Sequence, residues 1–243
     1  MSRKTQRNQS NPQRPDSPSP AAPGTSGSRG REILTWSVVA VLLVAAVWML
    51  LFNSKATQPS QPALTTNAAA LASEHSPTLG AANAKVHIVE FLDPACETCA
   101  MFYPVVKQML ADNPDKIRLS IRHVPFHQGS EYVVRLLEAS RKQDKYWQTL
   151  EALLASQAQW APHHTVQPDL VGPAIAGVGL NTDQLMADMN APEVGQRMQR
   201  DIDDARALKV TATPEYFVNG RPLPSFGLQQ LQDLVGEALQ QAD

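Results

Sequence analysis

The chain has two cysteines, Cys96 and Cys99, and their placement constrains the fold more than any other feature. They follow an apolar run with β-branched residues, Val86-His-Ile-Val-Glu-Phe-Leu92, which has the character of a short strand. They precede a helical pattern of apolar positions at Met101, Phe102, Val105, Val106, Met109 and Leu110. A strand that hands a C-x-x-C to the first turn of a helix suits a redox dithiol. The unpaired N–H groups and dipole of a helix N-terminus favour a thiolate, so Cys96 is expected to be an acidic, exposed nucleophile. Cys99, one turn further in, is placed to attack a mixed disulfide on Cys96 and resolve it. A zinc site would need four ligands, and no third cysteine exists, so histidines would have to complete it. A purely structural disulfide closing so short a loop would restrict the unfolded chain little.

The first 83 residues read differently from the rest. Residues 1–32 are rich in Ser, Pro, Gln, Arg and Gly, the composition of a disordered tail. Residues 33–52 carry no charge, and twenty residues at about 1.5 Å each match a hydrocarbon core of about 30 Å. They read as one transmembrane helix. A cleaved signal peptide is the alternative, with Ser54-Lys-Ala56 resembling a cleavage site. Six basic residues against two acidic ones before the span place the N-terminus in the cytoplasm, so the remainder faces an oxidising compartment. Taking those residues from totals of 21 basic and 23 acidic leaves 15 and 21 after residue 52, a mildly acidic exported part. No basic patch with interleaved aromatics points to nucleic acid. Residues 53–83 read as a flexible linker.

From residue 84 the pattern is β-α-β, a helical block over about 127–209, then β-β-α. Glu90 interrupts the first strand. A buried carboxylate costs several kcal/mol unless protonated or paired, so it is expected to exchange a proton with Cys99. Ile117–Val124 alternates apolar and polar, a second strand whose odd positions face the core, with His123 and His127 expected at its rim or in a loop. Asn181-Thr-Asp-Gln184 suggests a capping box and Pro192 a helix start. Asn219-Gly220 suits the turn of a closing hairpin, and Leu228 to Leu239 form the stripe of a last helix.

Val89-Glu-Phe-Leu-Asp-Pro-Ala-Cys-Glu-Thr-Cys99, the helical insertion, and Val210-Thr-Ala-Thr-Pro-Glu-Tyr-Phe-Val-Asn-Gly220 together resemble the thioredoxin-fold superfamily, in its DsbA-like branch of exported thiol–disulfide oxidoreductases. The resemblance covers about residues 76–243. It implies an α/β thioredoxin fold with an all-helical insertion. It also implies Cys96 as attacking thiol, Cys99 as resolving thiol, Glu90 as the buried acid, and Pro214 as a cis-proline facing the dithiol beside the substrate strand. Thr213, before that proline, is similar to the choice in isomerase-type relatives. The inner dipeptide Glu97-Thr98 departs from the Pro-His typical of oxidases in this branch, and no dimerisation domain precedes residue 76.

The expectation is a thiol–disulfide oxidoreductase anchored in the inner membrane, its catalytic domain periplasmic and its only redox group the Cys96–Cys99 pair. Exported cysteine-containing proteins and a membrane partner that resets the dithiol are its expected partners. Glu97 places a negative charge beside Cys96, so Cys96 is expected to be moderately acidic and the chemistry reductase- or isomerase-like rather than net oxidation. Rival readings are a chaperone holding Cu(I) between the two thiolates and a redox-inert binding module.

Overall fold

A computed structural model of the chain describes residues 68–71 and 73–242. The expected tail, the apolar span 33–52 and most of the linker lie outside the described residues. Among the described residues, no helix is long and apolar enough to cross a membrane.

The element order is α1 (Ala68–Leu71), β1 (Thr78–Gly80), β2 (Val86–Leu92), α2 (Glu97–Asp112), β3 (Ile117–His123), α3 (Ser130–Ser140), α4 (Tyr146–Ala155), α5 (Gln157–Trp160), α6 (Pro168–Ile175), α7 (Thr182–Met189), α8 (Pro192–Ala207), β4 (Glu215–Val218), β5 (Arg221–Pro222) and α9 (Leu228–Ala242). The strands form one sheet in the order β1-β3-β2-β4-β5. Only β2 and β3 run parallel, joined by the crossover helix α2. Strand β1 is a departure from expectation. It falls inside the stretch read as linker, and it pairs antiparallel with β3, Thr78 opposite Ser120. Three residues with no apolar periodicity carry too little pattern to be recognised as an edge strand.

Side chains alternate across β2, so Ile88, Glu90 and Leu92 point to one face and Val89 and Phe91 to the other. Both faces carry an apolar cluster. The first joins α2, α9 and the helical insertion in one large cluster that includes Phe102, Val106, Ile117, Leu119, Ile121, Leu150, Trp160 and Leu234. The second is smaller, built from Val89, Phe91, Val124, Ala205, Phe217 and Leu71. Burying a Phe or Ile of this kind stabilises the fold by about 1.5–3 kcal/mol.

Two-sided burial corrects the reading of β3. Its odd positions do face the large cluster, but Ser120 and Arg122 are buried as well. Arg122 ion-pairs with Asp201 and Asp204 of α8 and donates to the Ala70 carbonyl at 2.7 Å, so a cation sits where polar alternation suggested solvent. His123 is no rim residue either. It is fully buried, with the Tyr146 hydroxyl 2.9 Å from its Nε2, and burial pushes its pKa down. At the start of α7, Asn181 accepts from the Gln184 N–H as expected, while the Gln184 side chain turns to Asp188, so only half of the capping box forms. Asn219 and Gly220 both adopt positive φ, as the two-residue turn requires.

Candidate active site

The C-terminal end of β2 delivers the chain into the turn that carries the dithiol. Asp93 organises that turn. It is fully buried, and its carboxylate accepts from Ala95 N–H at 2.8 Å, Phe126 N–H at 2.7 Å, His127 N–H and Nδ1 at 2.8 Å each, and the Ser130 hydroxyl. Its backbone carbonyl accepts from the Cys96 N–H at 3.0 Å. One carboxylate thus ties the active-site turn to the loop that opens the insertion. His164, from a later loop of the insertion, stacks on His127 at 4.6 Å and donates from Nδ1 to the Ala95 carbonyl at 3.2 Å.

Cys96 is the N-cap of α2, and both cysteines are free thiols. Cys96 is 4% exposed, not the open nucleophile the sequence suggested, because the Thr213–Pro214 segment lies over it. The Thr213–Pro214 bond is cis, as the resemblance implied. In the thiol form Sγ donates to the Thr213 carbonyl at 3.2 Å. The Thr213 hydroxyl is buried without a partner, poised to donate once the sulfur ionises.

The two thiols are driven apart in acidity. Hydrogen bonding from Cys99 comes first among the causes that lower Cys96, followed by Thr213 and the backbone N–H groups of Cys99 and Thr98, and together they overcome burial and bring its pKa to about 5. Burial, the hydrogen bond to Cys96 and the nearby Glu90 carboxyl push Cys99 well above the ordinary thiol range. Thr98 therefore acts on Cys96 through its backbone. Glu97 points to solvent and is not among the groups that set the Cys96 pKa. The expected moderating effect of Glu97 is corrected accordingly: buried donors at hydrogen-bond distance outweigh an exposed charge screened by water.

Glu90 is fully buried. The β2–β4 register sets it opposite Tyr216, whose hydroxyl donates to its Oε1 at 3.1 Å, while Oε2 has no partner. Burial, opposed by the Tyr216 hydrogen bond and aided by the charge on Cys96, raises its pKa to about 8. Tyr216 stacks on Phe102 of α2, and Phe102 on the exposed Phe226, centroids 6.0 and 5.1 Å apart. The structure thus gathers Glu90, Cys96, Cys99, Thr213 and Pro214 at one place and leaves only Glu97 turned away. The sequence reading missed Asp93, Tyr216, His127 and His164. Tyr216 could have been found, since it lies two residues past Pro214 in a strand. Nothing local marks His164.

The family model described as thioredoxin matches residues 72–236. The chain belongs to the thioredoxin family. A crystal structure of a thioredoxin-like oxidoreductase from Silicibacter pomeroyi DSS-3 superposes with a TM-score of 0.62 at 30% identity, covering 72% of this chain and 98% of that one. The disulfide bond formation protein D of Bacillus subtilis (strain 168) is 27% identical over 158 residues, 62% of this chain and 70% of that protein. The resemblance to the DsbA-like branch is thereby borne out. A Na(+)/H(+) antiporter NhaA of Herminiimonas arsenicoxydans is 32% identical over 144 residues, 59% of this chain. The chain spans 22% of that antiporter's length, and the antiporter activity in its name is not carried over.

Proposed function

We propose that this thioredoxin-family chain is a thiol–disulfide oxidoreductase acting on exported cysteine-containing proteins, anchored in the inner membrane by residues 33–52 with its folded domain in the periplasm. The observation that carries the chemistry is the divided acidity of the pair, Cys96 near 5 and Cys99 far above it. At neutral pH Cys96 is a thiolate and Cys99 a thiol. The Cys96 thiolate attacks one sulfur of a substrate disulfide; that S–S bond breaks, the mixed disulfide forms, and the released substrate thiolate takes a proton from water. Glu90, with its pKa raised to about 8, is mostly protonated at neutral pH. In the fraction that has lost its proton to water, which grows toward pH 8, its carboxylate takes the Cys99 proton and the Cys99 thiolate attacks the Cys96 sulfur. The second substrate thiolate leaves, and two electrons have moved from the dithiol to the substrate. Run backwards, the same steps oxidise a substrate dithiol. If the substrate's own thiol resolves the mixed disulfide, its pairing is isomerised.

The magnitude of the Cys96 shift bears on direction. Reference dithiols span a nucleophilic thiol near 7 in thioredoxin to about 3.5 in DsbA, with potentials of about −270 and −120 mV. A value of about 5 lies between the two, as for a dithiol that is neither a strong reductant nor a strong oxidant. Thr213 before Pro214 supports the isomerase side. Isomerase-like exchange is therefore favoured over net oxidation, for a reason other than Glu97. The test is reactivation of a protein with scrambled disulfides against oxidation of the same protein fully reduced, at a matched glutathione poise. Faster reactivation supports the reading, and activity only in the oxidation assay overturns it. A reporter fused after Asp243 that works only when exported supports the topology, and one that works only in the cytoplasm overturns it.

A further inference from the structure

At the end of β2 away from Cys96, one face of the sheet is left open as a polar cavity of about 530 Å³, lined by Ser73, Glu74, Thr78, His87, Arg118 and Ser120 among others. Register explains the gathering: Thr78 lies opposite Ser120, and His87 opposite Arg118. The same face is closed further along by the cluster around Val89 and Phe91 and by the Arg122 ion pairs with α8. Among the described residues, the end nearest β1 carries no such cover.

Among the described arginines, only Arg118 and the exposed Arg200 reach no carboxylate, and Arg118 is the one that lines a cavity. Arg122, Arg135, Arg141, Arg197, Arg206 and Arg221 each reach a carboxylate. Arg118 makes two long contacts, Nη1 to the Ala82 carbonyl at 3.4 Å and Nη2 to His87 Nδ1 at 3.3 Å, and its Nε is buried with no partner. A guanidinium carries five donors and favours a bidentate oxygen acceptor. Since Arg118 can only donate, His87 Nδ1 must accept, which leaves Nε2–H to donate to Ser120 Oγ at 2.8 Å. Ser120 in turn donates to Thr78 Oγ1 at 2.9 Å, and Thr78 to the Ser76 carbonyl at 3.3 Å. His87 is thereby held neutral, its pKa brought down to about 4 by burial and by Arg118. Among the described residues the cavity keeps a cation that no carboxylate compensates, and the Glu74 carboxylate on its lining is exposed to solvent.

We propose that this cavity is a binding site for a phosphate oxyanion, taken from free phosphate or from a lipid headgroup, with Arg118 as its cation. An Arg–phosphate pair supplies the fork-to-fork geometry that no carboxylate among the described residues supplies to this side chain. A bound anion also favours the charged form of His87, so His87 should take up a proton more readily when the site is filled and add a second donor. The site is independent of the dithiol and stands or falls apart from the exchange chemistry.

The experiment is a phosphate titration of the full-length chain in a maltoside micelle at constant ionic strength, followed by NMR of the Arg118 Nε–H and the His87 ring. Saturable shifts with a dissociation constant on the order of 1 mM are expected, with the His87 titration midpoint moving up in saturating phosphate. Arg118→Gln should abolish both, leaving disulfide exchange unchanged. Glu74→Gln lies at an exposed position, so it tests the site even if the arginine variant does not fold; it should tighten binding about two- to tenfold by removing a repelling charge. Glycerophosphoglycerol binding more tightly than inorganic phosphate identifies a lipid headgroup as the source, and the reverse order identifies free phosphate. Shifts that do not saturate, that chloride reproduces, that survive Arg118→Gln, or that Glu74→Gln leaves equally weak would overturn the proposal.

Discussion

Replacing Thr213 by valine isolates the group that most directly controls the Cys96 thiolate from outside the C-x-x-C. The hydroxyl has no partner in the thiol form, so its loss should cost no folding stability and could even add a little. Its value appears only when Cys96 ionises, because a carbonyl such as that of Thr213 cannot stabilise an anion and the hydroxyl can. A hydrogen bond to a charged group contributes about 1.5–3 kcal/mol, or roughly one to two pKa units. The sign follows from linkage. Cys96 has a depressed pKa in the folded dithiol, so ionisation stabilises the reduced form above about pH 5, and that stabilisation is lost as pH falls through about 5. At pH 7 the native shift favours the reduced form by at most about 2.7 kcal/mol, an upper bound because water screens part of the site, and this raises the potential by roughly 60 mV. Raising the pKa to about 6 or 7 with Thr213→Val should then lower the potential by about 30 to 50 mV. Thr213→Ser should stay near the native value.

The assay is a glutathione redox titration at several pH values, with thiolate absorbance followed in parallel. Because native Cys96 binds no proton above about pH 5 while Cys99 still does, the native potential should fall by about 30 mV per pH unit between pH 5.5 and 7.5. Below pH 5 the slope should double to about 60 mV as both thiols take up protons. A slope of about 60 mV across the neutral range, or a Thr213→Val potential equal to or above the native one, would refute this origin of the Cys96 thiolate.

Glu90→Gln should leave the fold intact but slow resolution of mixed disulfides by about tenfold or more, and remove the rise in resolution rate as pH approaches 8, read by single-turnover kinetics on a Cys96-linked peptide. Glu97→Gln should change the Cys96 pKa by less than about 0.3 units, since the carboxylate is exposed and buried donors dominate; a larger fall, followed by absorbance, would restore a role for it. Asp93→Ala should destabilise the domain by about 3–5 kcal/mol in urea titrations, because it strands several buried donors at once. A loss under about 1 kcal/mol would show that the loops hold the turn without it.

The order of strands and helices was legible because β2, despite Glu90, and α2 carry strong apolar signals and because hairpin and cap residues mark the ends of the insertion. What escaped was whatever depends on a second layer. Arg122 and His123 sit in a strand whose alternation looked half-exposed, and only α8, some eighty residues later, brings the Asp201 and Asp204 carboxylates that make burial of Arg122 tolerable. β1 escaped because an edge strand of three residues draws its stability from the partner strand rather than from its own pattern.

At the site, the residues that could be named in advance were those close to the cysteines in sequence or fixed by the resemblance: Glu90, Cys96, Cys99, Thr213 and Pro214. The misjudged one was Glu97, and the reason is geometric. Sequence adjacency suggested that a charge one residue from Cys96 would set its acidity, yet the helix start turns that side chain outward and turns backbone N–H groups inward. Distance and dielectric then decide. A donor at hydrogen-bond range in a buried site outweighs a screened charge on the surface. The same reasoning makes Asp93 the counterpart of Glu97. It lies three residues before Cys96, is fully buried, and spends its carboxylate on the turn and on the insertion at once. The insertion therefore acts on the dithiol through Asp93 and His164, so changes in its opening loop should be felt at Cys96 even where they touch neither sulfur.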